Sequence, residues 1–218
     1  MTFEYIKKDP AIRTYIAQAD ATLAVLGYTE HSFAHVTQVA VTAGDILAQL
    51  NYPARTVELA RIAGYMHDIG NVVNRVEHSQ SGAVMAFRLL DKMGFPPEEI
   101  AVIVSAIGNH DEGTGVPVGP VAAALILADK SDVRRSRVRT KEIADFDIHD
   151  RVNYSVTHSK LMLNEQRTQL LLELTVDTQF SPVMDYFLIF MDRMELCRKA
   201  AKALGLEFKL VINDQQML

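Results

Sequence analysis

Apolar positions in the first two thirds of the chain recur every three or four residues, which is the period of helices buried on one face. In the segment that begins at Ser32, the residues with this spacing are Val36, Val39, Ala40, Ala43, Ile46, Leu47 and Leu50. Cap residues and prolines mark helix starts, as in Asp9-Pro10, and glycines such as Gly27 mark helix ends. The pattern predicts successive helices over residues 1 to about 135, with the almost wholly apolar segment 121–132 at the centre.

After residue 140 the pattern becomes that of strands around one long helix. The segment 168–176 alternates, and its apolar face consists of Leu170, Leu172, Leu174 and Val176. The predicted order is a strand at 152–163, a turn at 164–167, a strand at 168–176, a helix from Ser181 to Leu204 and a strand at 206–212. We therefore predict a mainly α protein, with a helical bundle over 1–140 and a small α+β unit over 141–218.

Composition and charge exclude several classes of protein. The chain has 218 residues and one cysteine, Cys197, so it has no internal disulfide and no four-cysteine zinc site. The 22 Lys and Arg against 27 Asp and Glu give a net charge of −5, which disfavours a nucleic-acid partner. Charges interrupt the start where a signal peptide would be apolar, and no apolar run reaches the length of a membrane span. We expect a soluble cytoplasmic protein with no membrane contact.

Histidines and carboxylates are concentrated in the helical half. The groups that stand at or near predicted helix ends are His67-Asp68, His78, His110-Asp111-Glu112 and Asp129-Lys130. Histidine with Asp or Glu, and without Cys, is the ligand set of first-row metals such as Mn, Fe, Ni or Zn in hydrolytic or redox sites. Any one of these histidines alone is more often structural than a ligand, so the prediction depends on the order and spacing of the whole set.

His35, the pair His67-Asp68 and the distant Asp129 together resemble the HD domain superfamily of metal-dependent phosphohydrolases. The resemblance covers about residues 25 to 135, and its most specific part is His-Asp-Ile-Gly after an apolar helix. It implies an HD-type helical bundle in which His35, His67, Asp68 and Asp129 bind one metal ion. His35 is preferred to His31 because the residues that follow it have the family's spacing. His31 is then either a hydrogen-bonding partner of a ligand or an exposed cap residue.

The chain also resembles the GYP-type subset of HD domains, which holds a second metal ion. That resemblance implies His78 and His110 as ligands of the second ion, with Asp68 as the bridge between the two. Asp111 stands where the subset has a second histidine, and its carboxylate could also coordinate. Because two ions bridged in this way clamp a phosphoryl group during in-line displacement, the expected chemistry is phosphate-ester hydrolysis.

Two departures from the subset argue against a cyclic dinucleotide phosphodiesterase in the strict sense. Asn71 stands where a phosphate-contacting lysine is common, and Val116 replaces a loop tyrosine. Arg75 is the first candidate to bind phosphate, because its segment lies between candidate ligands, whereas Lys130 is expected to point elsewhere on its helix. The basic residues that follow are as consistent with a solvated face as with phosphate contacts: Arg134, Arg135, Arg137, Arg139 and Lys141.

The catalytic candidates are therefore Asp68, Arg75 and Asp132. Asp132 and Glu112 are each open to two interpretations, as a general acid or base or as a carboxylate that faces water.

The first functional prediction is a metal-dependent phosphohydrolase, phosphomonoesterase or phosphodiesterase, with one or two divalent ions. Its expected substrate is a small phosphate ester or a nucleotide. A di-iron oxygenase of HD fold and a non-catalytic nucleotide-binding sensor are the alternatives. The α+β unit is open to three roles, as a substrate lid, a ligand sensor or a homodimer surface formed by the unpaired hairpin edge.

Overall fold

Helices follow one another through the first 131 residues, as the apolar period predicts. The computed structural model describes residues 1–140, 142 and 146–218. The helices of this first part are α1 Phe3–Lys8, α2 Pro10–Val25, α3 Phe33–Gln49, α4 Ala54–Met66, α5 His78–Lys92, α6 Pro97–Gly108 and α7 Pro120–Ser131. Local signals are confirmed at the first boundaries. The Asp9 side chain caps α2 by accepting from the Ile12 N–H at 2.9 Å, and Gly27 follows the helix with a φ of 82°.

The segment predicted to be central is helix α7. Every residue from Val121 to Ser131 is buried, and the helix packs against α3, α4, α6 and α9 (Val183–Ala203). A helix that is apolar all round needs neighbours on all sides, and these four helices supply them. The polar end of α7, at Asp129 and Lys130, is consequently brought inside the bundle.

The α+β unit begins with a helix where the sequence predicts a strand. Ile148–Ser155 forms helix α8, with the Asp147 side chain accepting from the Asp150 N–H at 2.7 Å, and strand β1 covers only Val156–Leu163. The predicted strand at 152–163 is therefore wrong over its first four residues. Val152 and Val156 are both fully buried and lie four residues apart, which suits a helical turn as well as an alternating strand.

The rest of the unit follows the predicted order. Strand β2 is Gln169–Val176, helix α9 is Val183–Ala203, strand β3 is Glu207–Ile212, and a two-residue strand β4, Gln215–Gln216, adds to the three predicted strands. The sheet order is β1-β2-β3-β4, with β1 antiparallel to β2 and β2 parallel to β3. The leucines of the alternating face in β2 are buried, as predicted. A dimer contact at the β1 edge stays a prediction.

One hydrophobic core joins residues from α1 to β3. The proposed boundary at residue 140 stays a prediction, and Lys141, the last residue of the predicted basic run, lies outside the described residues. Among the helices that the structure describes, none is long and apolar enough to cross a membrane.

Candidate metal centre

Two helix ends and one close helix contact bring the first predicted ligands together. His35 lies in the first turn of α3, and His67 caps the carboxyl end of α4. The two helices can approach closely because α4 carries Gly64, where an added Cβ would lie 2.8 Å from the Ala40 Cα. The imidazole rings of His35 and His67 consequently lie 5.3 Å apart between centroids, with Asp129 of α7 beside them.

The Nε2 atoms of His35 and His67 each lie near a carboxylate oxygen of both Asp68 and Asp129. His67 Nε2 lies 3.1 Å from Asp68 Oδ2, and His35 Nε2 lies 3.3 Å from Asp129 Oδ1. The distances His35 Nε2–Asp68 Oδ2 and His67 Nε2–Asp129 Oδ1 are both 3.6 Å. Ligand bonds of about 2.1 Å at tetrahedral or octahedral angles put neighbouring donors roughly 3.0–3.4 Å apart. His35, His67 and Asp129 form one group of three that could hold a metal ion, and His67, Asp68 and His110 form a second group that shares His67 with the first.

Hydrogen bonds at the far side of each ring determine which nitrogen is free. His35 Nδ1 lies 2.7 Å from Asp132 Oδ2, and His67 Nδ1 lies 2.8 Å from the Gly64 carbonyl oxygen. Because these oxygens only accept, each Nδ1 donates and each Nε2 faces the cluster. Both Nε2 atoms and Asp68 Oδ2 are buried without a hydrogen-bond partner among the described residues. A metal ion would satisfy all three atoms, whereas a proton on His67 Nε2 would pair only that atom with Asp68 Oδ2, 3.1 Å away.

A second group of ligands adjoins the first. His78 begins α5 and His110 follows α6, and their Nε2 atoms lie 3.2 Å apart. Their Nδ1 atoms are held by the carbonyl oxygens of Arg75 and Ile107, at 3.1 and 2.6 Å. Two lone pairs therefore face each other, which favours a cation or a proton between them. Asp68 Oδ1 lies 3.5 Å from His78 Nε2, so Asp68 faces both groups.

The central histidines have pKa values displaced in opposite directions. Burial alone would lower the pKa of His67, but the carboxylates of Asp68 and Asp129 outweigh burial and raise that pKa to about 10. Burial lowers the pKa of His110 to about 3, and the neighbouring charge of His67 adds to the effect. His110 is therefore neutral and ready to act as a ligand, whereas His67 must first release a proton.

His31, which the sequence places second to His35, also joins the centre. Its Nε2 lies 4.0 Å from Asp68 Oδ2, and its Nδ1 donates to the Thr29 carbonyl oxygen at 2.7 Å. The spacing of four residues suggests a shared helical face, but α3 begins at Phe33, so His31 precedes the helix. The loop rather than the helical period brings its ring to within 5.3 Å of the His35 ring.

The remaining candidates lie at different distances from the donor atoms. Arg75 borders the cavity beside the centre, with Nη1 3.3 Å from His78 Nε2 and its guanidinium over the Tyr28 ring. Asp111 lies at the edge, with Oδ1 4.0 Å from His78 Nε2. Asp132 lies behind His35, where Arg134 Nε donates to its Oδ1 at 2.6 Å.

The expectation that Lys130 points away from the site is wrong. Its Nζ lies 2.7 Å from Asp129 Oδ2 and 3.0 Å from Glu112 Oε2, and the side chain is buried. Because α7 ends at Ser131, the aliphatic stem is free to fold back beside the preceding residue. Burial opposes the charged form of Lys130, but Asp129 and Glu112 outweigh burial and raise its pKa.

A cavity of about 580 Å³ opens beside both groups of ligands. It is bordered by Asp68, His78, His110 and Asp129 and also by residues of the α+β unit, among them Asn153, Phe190 and Arg193. The last three were not candidates from the sequence, because no ligand pattern accompanies them. His149 also borders the cavity.

Comparison with known proteins identifies the family. The model of the HD domain matches residues 32–153, which is more than half of the chain. Solved structures similar to the chain include a predicted HD superfamily hydrolase from an uncultured Thermotogales bacterium, at 23% identity over 60% of this chain and 73% of that one, with a TM-score of 0.44. None of the curated proteins matches the chain. The GYP-type subset stays a prediction, whereas the match over residues 32–153 shows that the chain belongs to the HD domain family.

Proposed function

We propose that this protein is a metal-dependent phosphohydrolase acting on a small phosphate ester or a nucleotide. The observation that carries the proposal is the convergence of His35 Nε2, His67 Nε2 and Asp68 Oδ2, three buried atoms without a partner among the described residues. Of these three residues, Asp68 borders a cavity whose volume of about 580 Å³ is within the range of small-molecule sites. Membership of the HD family supports a divalent ion at this position.

We assign ligands for two ions to this chain. His35, His67, Asp68 and Asp129 would hold the first ion, and His78 and His110 would hold the second, with Asp68 facing both. The neutral nitrogen and carboxylate donors suit Mn, Fe, Ni or Zn. When bound, such ions polarise a phosphoryl oxygen and lower the pKa of water, which supplies the nucleophile for hydrolysis.

The surrounding residues orient the ligands and the substrate. Asp132 holds the Nδ1 proton of His35, so we assign it an orienting role in place of acid or base catalysis. Lys130 holds the second oxygen of Asp129 at 2.7 Å. Asn71 donates to Asp68 Oδ1 at 3.0 Å, so the residue at the position of the subset's lysine orients the bridging carboxylate. We assign phosphate binding to Arg75, which borders the cavity.

The test is phosphate release by metal-loaded protein. Protein purified without metal is loaded with Mn²⁺ or Fe²⁺ and offered p-nitrophenyl phosphate, bis(p-nitrophenyl) phosphate and nucleoside mono- and diphosphates. We expect turnover that falls by about 1,000-fold or more in His67→Ala and Asp68→Ala, because each removes a metal ligand. His158→Ala, which changes an exposed histidine of β1, should retain the wild-type turnover.

The same preparation separates the alternatives. Oxygen uptake by iron-loaded protein without phosphate release would support the di-iron oxygenase, and tight nucleotide binding without either would support a sensor. Metal analysis decides the number of ions, because two per chain in the wild type and one in His78→Ala would support the second site.

A further inference from the structure

Helix α9 contributes one cation, Arg193, to the wall of the cavity. The side chain is oriented by two contacts. Its Nε donates to Glu112 Oε1 at 2.8 Å, and its guanidinium carbon lies 4.2 Å from the centre of the Phe190 ring. A planar guanidinium held at one nitrogen and stacked on an aromatic ring loses little further freedom when it binds a ligand.

Most of the hydrogen-bonding capacity of Arg193 is unused. A guanidinium has five N–H donors, and Nε accounts for one. For the two terminal nitrogens, the structure records no hydrogen bond to the residues that it describes, and 22% of the side chain is accessible. The terminal nitrogens therefore leave four donors in the fork geometry that matches a phosphate group.

Arg193 shares its carboxylate partner with a second cation. Glu112 is shared between Arg193 and Lys130, and Lys130 also pairs with Asp129. Lys130 Nζ also lies 4.0 Å from Asp111 Oδ1, whereas Glu112 is the carboxylate that the structure pairs with Arg193 among the described residues, so the charge of Arg193 is offset by a shared partner. Asp192, the adjacent carboxylate at the cavity, is exposed, so its charge is screened by water.

We propose that Arg193 binds a phosphate group of the substrate, so that the α+β unit forms part of the substrate site. The assignment rests on the proposed function, which makes the substrate a phosphate ester. It gives α9 the role of a cavity wall that selects anionic substrates, and it makes Glu112 the residue that positions the guanidinium.

The experiment measures phosphate binding to the full chain loaded with Mn²⁺, by isothermal titration calorimetry with inorganic phosphate. Arg193→Met keeps the aliphatic stem and removes the charge, and we expect it to weaken phosphate binding about 10- to 100-fold, the usual effect of a charge-assisted hydrogen bond. Arg193→Lys preserves a cation beside Glu112 and protects the fold. Its affinity for phosphate should lie between those of the wild type and Arg193→Met. Arg198→Met, at an exposed position of the same helix, is the matched control and should bind within twofold of the wild type.

Several results would overturn the assignment. These are wild-type protein that does not bind phosphate, Arg193→Met or Arg193→Lys with unchanged affinity, and Arg193→Met that loses its metal ion by mass spectrometry. The last result would place Arg193 in support of the metal site. If phosphate binding depends on Arg193 but no ester is hydrolysed, the proposed reaction fails, whereas the phosphate-binding role of Arg193 stands. If esters are hydrolysed and Arg193→Met has an unchanged KM, the assignment fails and the reaction stands.

Discussion

Metal binding to this protein is expected to tighten with rising pH well above the usual range of histidine titration. Asp68 and Asp129 outweigh the effect of burial and raise the pKa of His67 to about 10. Near neutral pH the metal-free protein therefore carries a proton on His67 Nε2, because Nδ1–H is already donated to the Gly64 carbonyl oxygen. A metal ion can take Nε2 only when that proton leaves.

The size of the effect follows from the number of protons displaced. One proton with a pKa near 10 makes the apparent association constant rise about tenfold per pH unit, or about 100-fold from pH 7 to pH 9. An ordinary histidine, with a pKa of about 6.5, would give almost no change over that interval. The pKa of His110 is about 3, so His110 adds nothing, whereas His35, whose pKa is also raised, can add up to one further proton.

Calorimetry can count these protons directly. Titration of metal-free protein with Zn²⁺ at pH 7.5, in buffers of different ionisation enthalpy, should report one to two protons released at the first site. Chelator competition from pH 7 to pH 9 should give the slope of the logarithm of the apparent association constant against pH. His158→Gln, which lies outside the centre, should match the wild type in both assays. A slope near zero with no proton released would mean that His67 is neutral in the metal-free protein and would refute the electrostatic reasoning.

Three further predictions concern affinity and stability. Asp132→Asn should keep the fold but weaken metal binding about 10- to 100-fold, as measured by equilibrium dialysis, because His35 loses its anionic partner. An unchanged affinity would contradict the orienting role of Asp132. Gly70→Ala should lose about 3 kcal/mol or more of unfolding free energy in urea, because the added Cβ would overlap the His78 carbonyl oxygen. Gly113→Ala is the control, because a Cβ at Gly113 would meet open space. Equal losses in the two variants would contradict this steric explanation. A metal concentration of 100 times the Kd should raise the free energy of unfolding by about 2.7 kcal/mol and the Tm by about 5 to 11 °C in scanning calorimetry. An unchanged Tm would exclude a metal site that exists only in the native state.

The sequence by itself predicted the helices of the first part and the order of the later strands, and its resemblance to the HD domain supplied the first four candidate ligands. Helical period and cap residues are local signals, so the helices of the first part could be assigned without knowing their neighbours. The alternation of Leu170, Leu172 and Leu174 likewise predicted the buried face of β2. The error at 152–163 arose where buried residues satisfied both periods, and the Asp147 cap is the local signal that marks a helix there.

Only the tertiary structure decided how the ligands are oriented and what surrounds them. Asp132 holds His35 across 97 residues, and Arg193 meets Glu112 across 81 residues. Lys130 turns inward because α7 ends beside it, and His31 reaches the centre from a loop. Contacts between residues so far apart in the sequence produce no periodic pattern of apolar residues. The same holds for contacts that depend on where a helix ends. They arise only when the buried faces of the helices pack together. That packing brings together His35 Nε2 and His67 Nε2, which have no hydrogen-bond partner among the described residues.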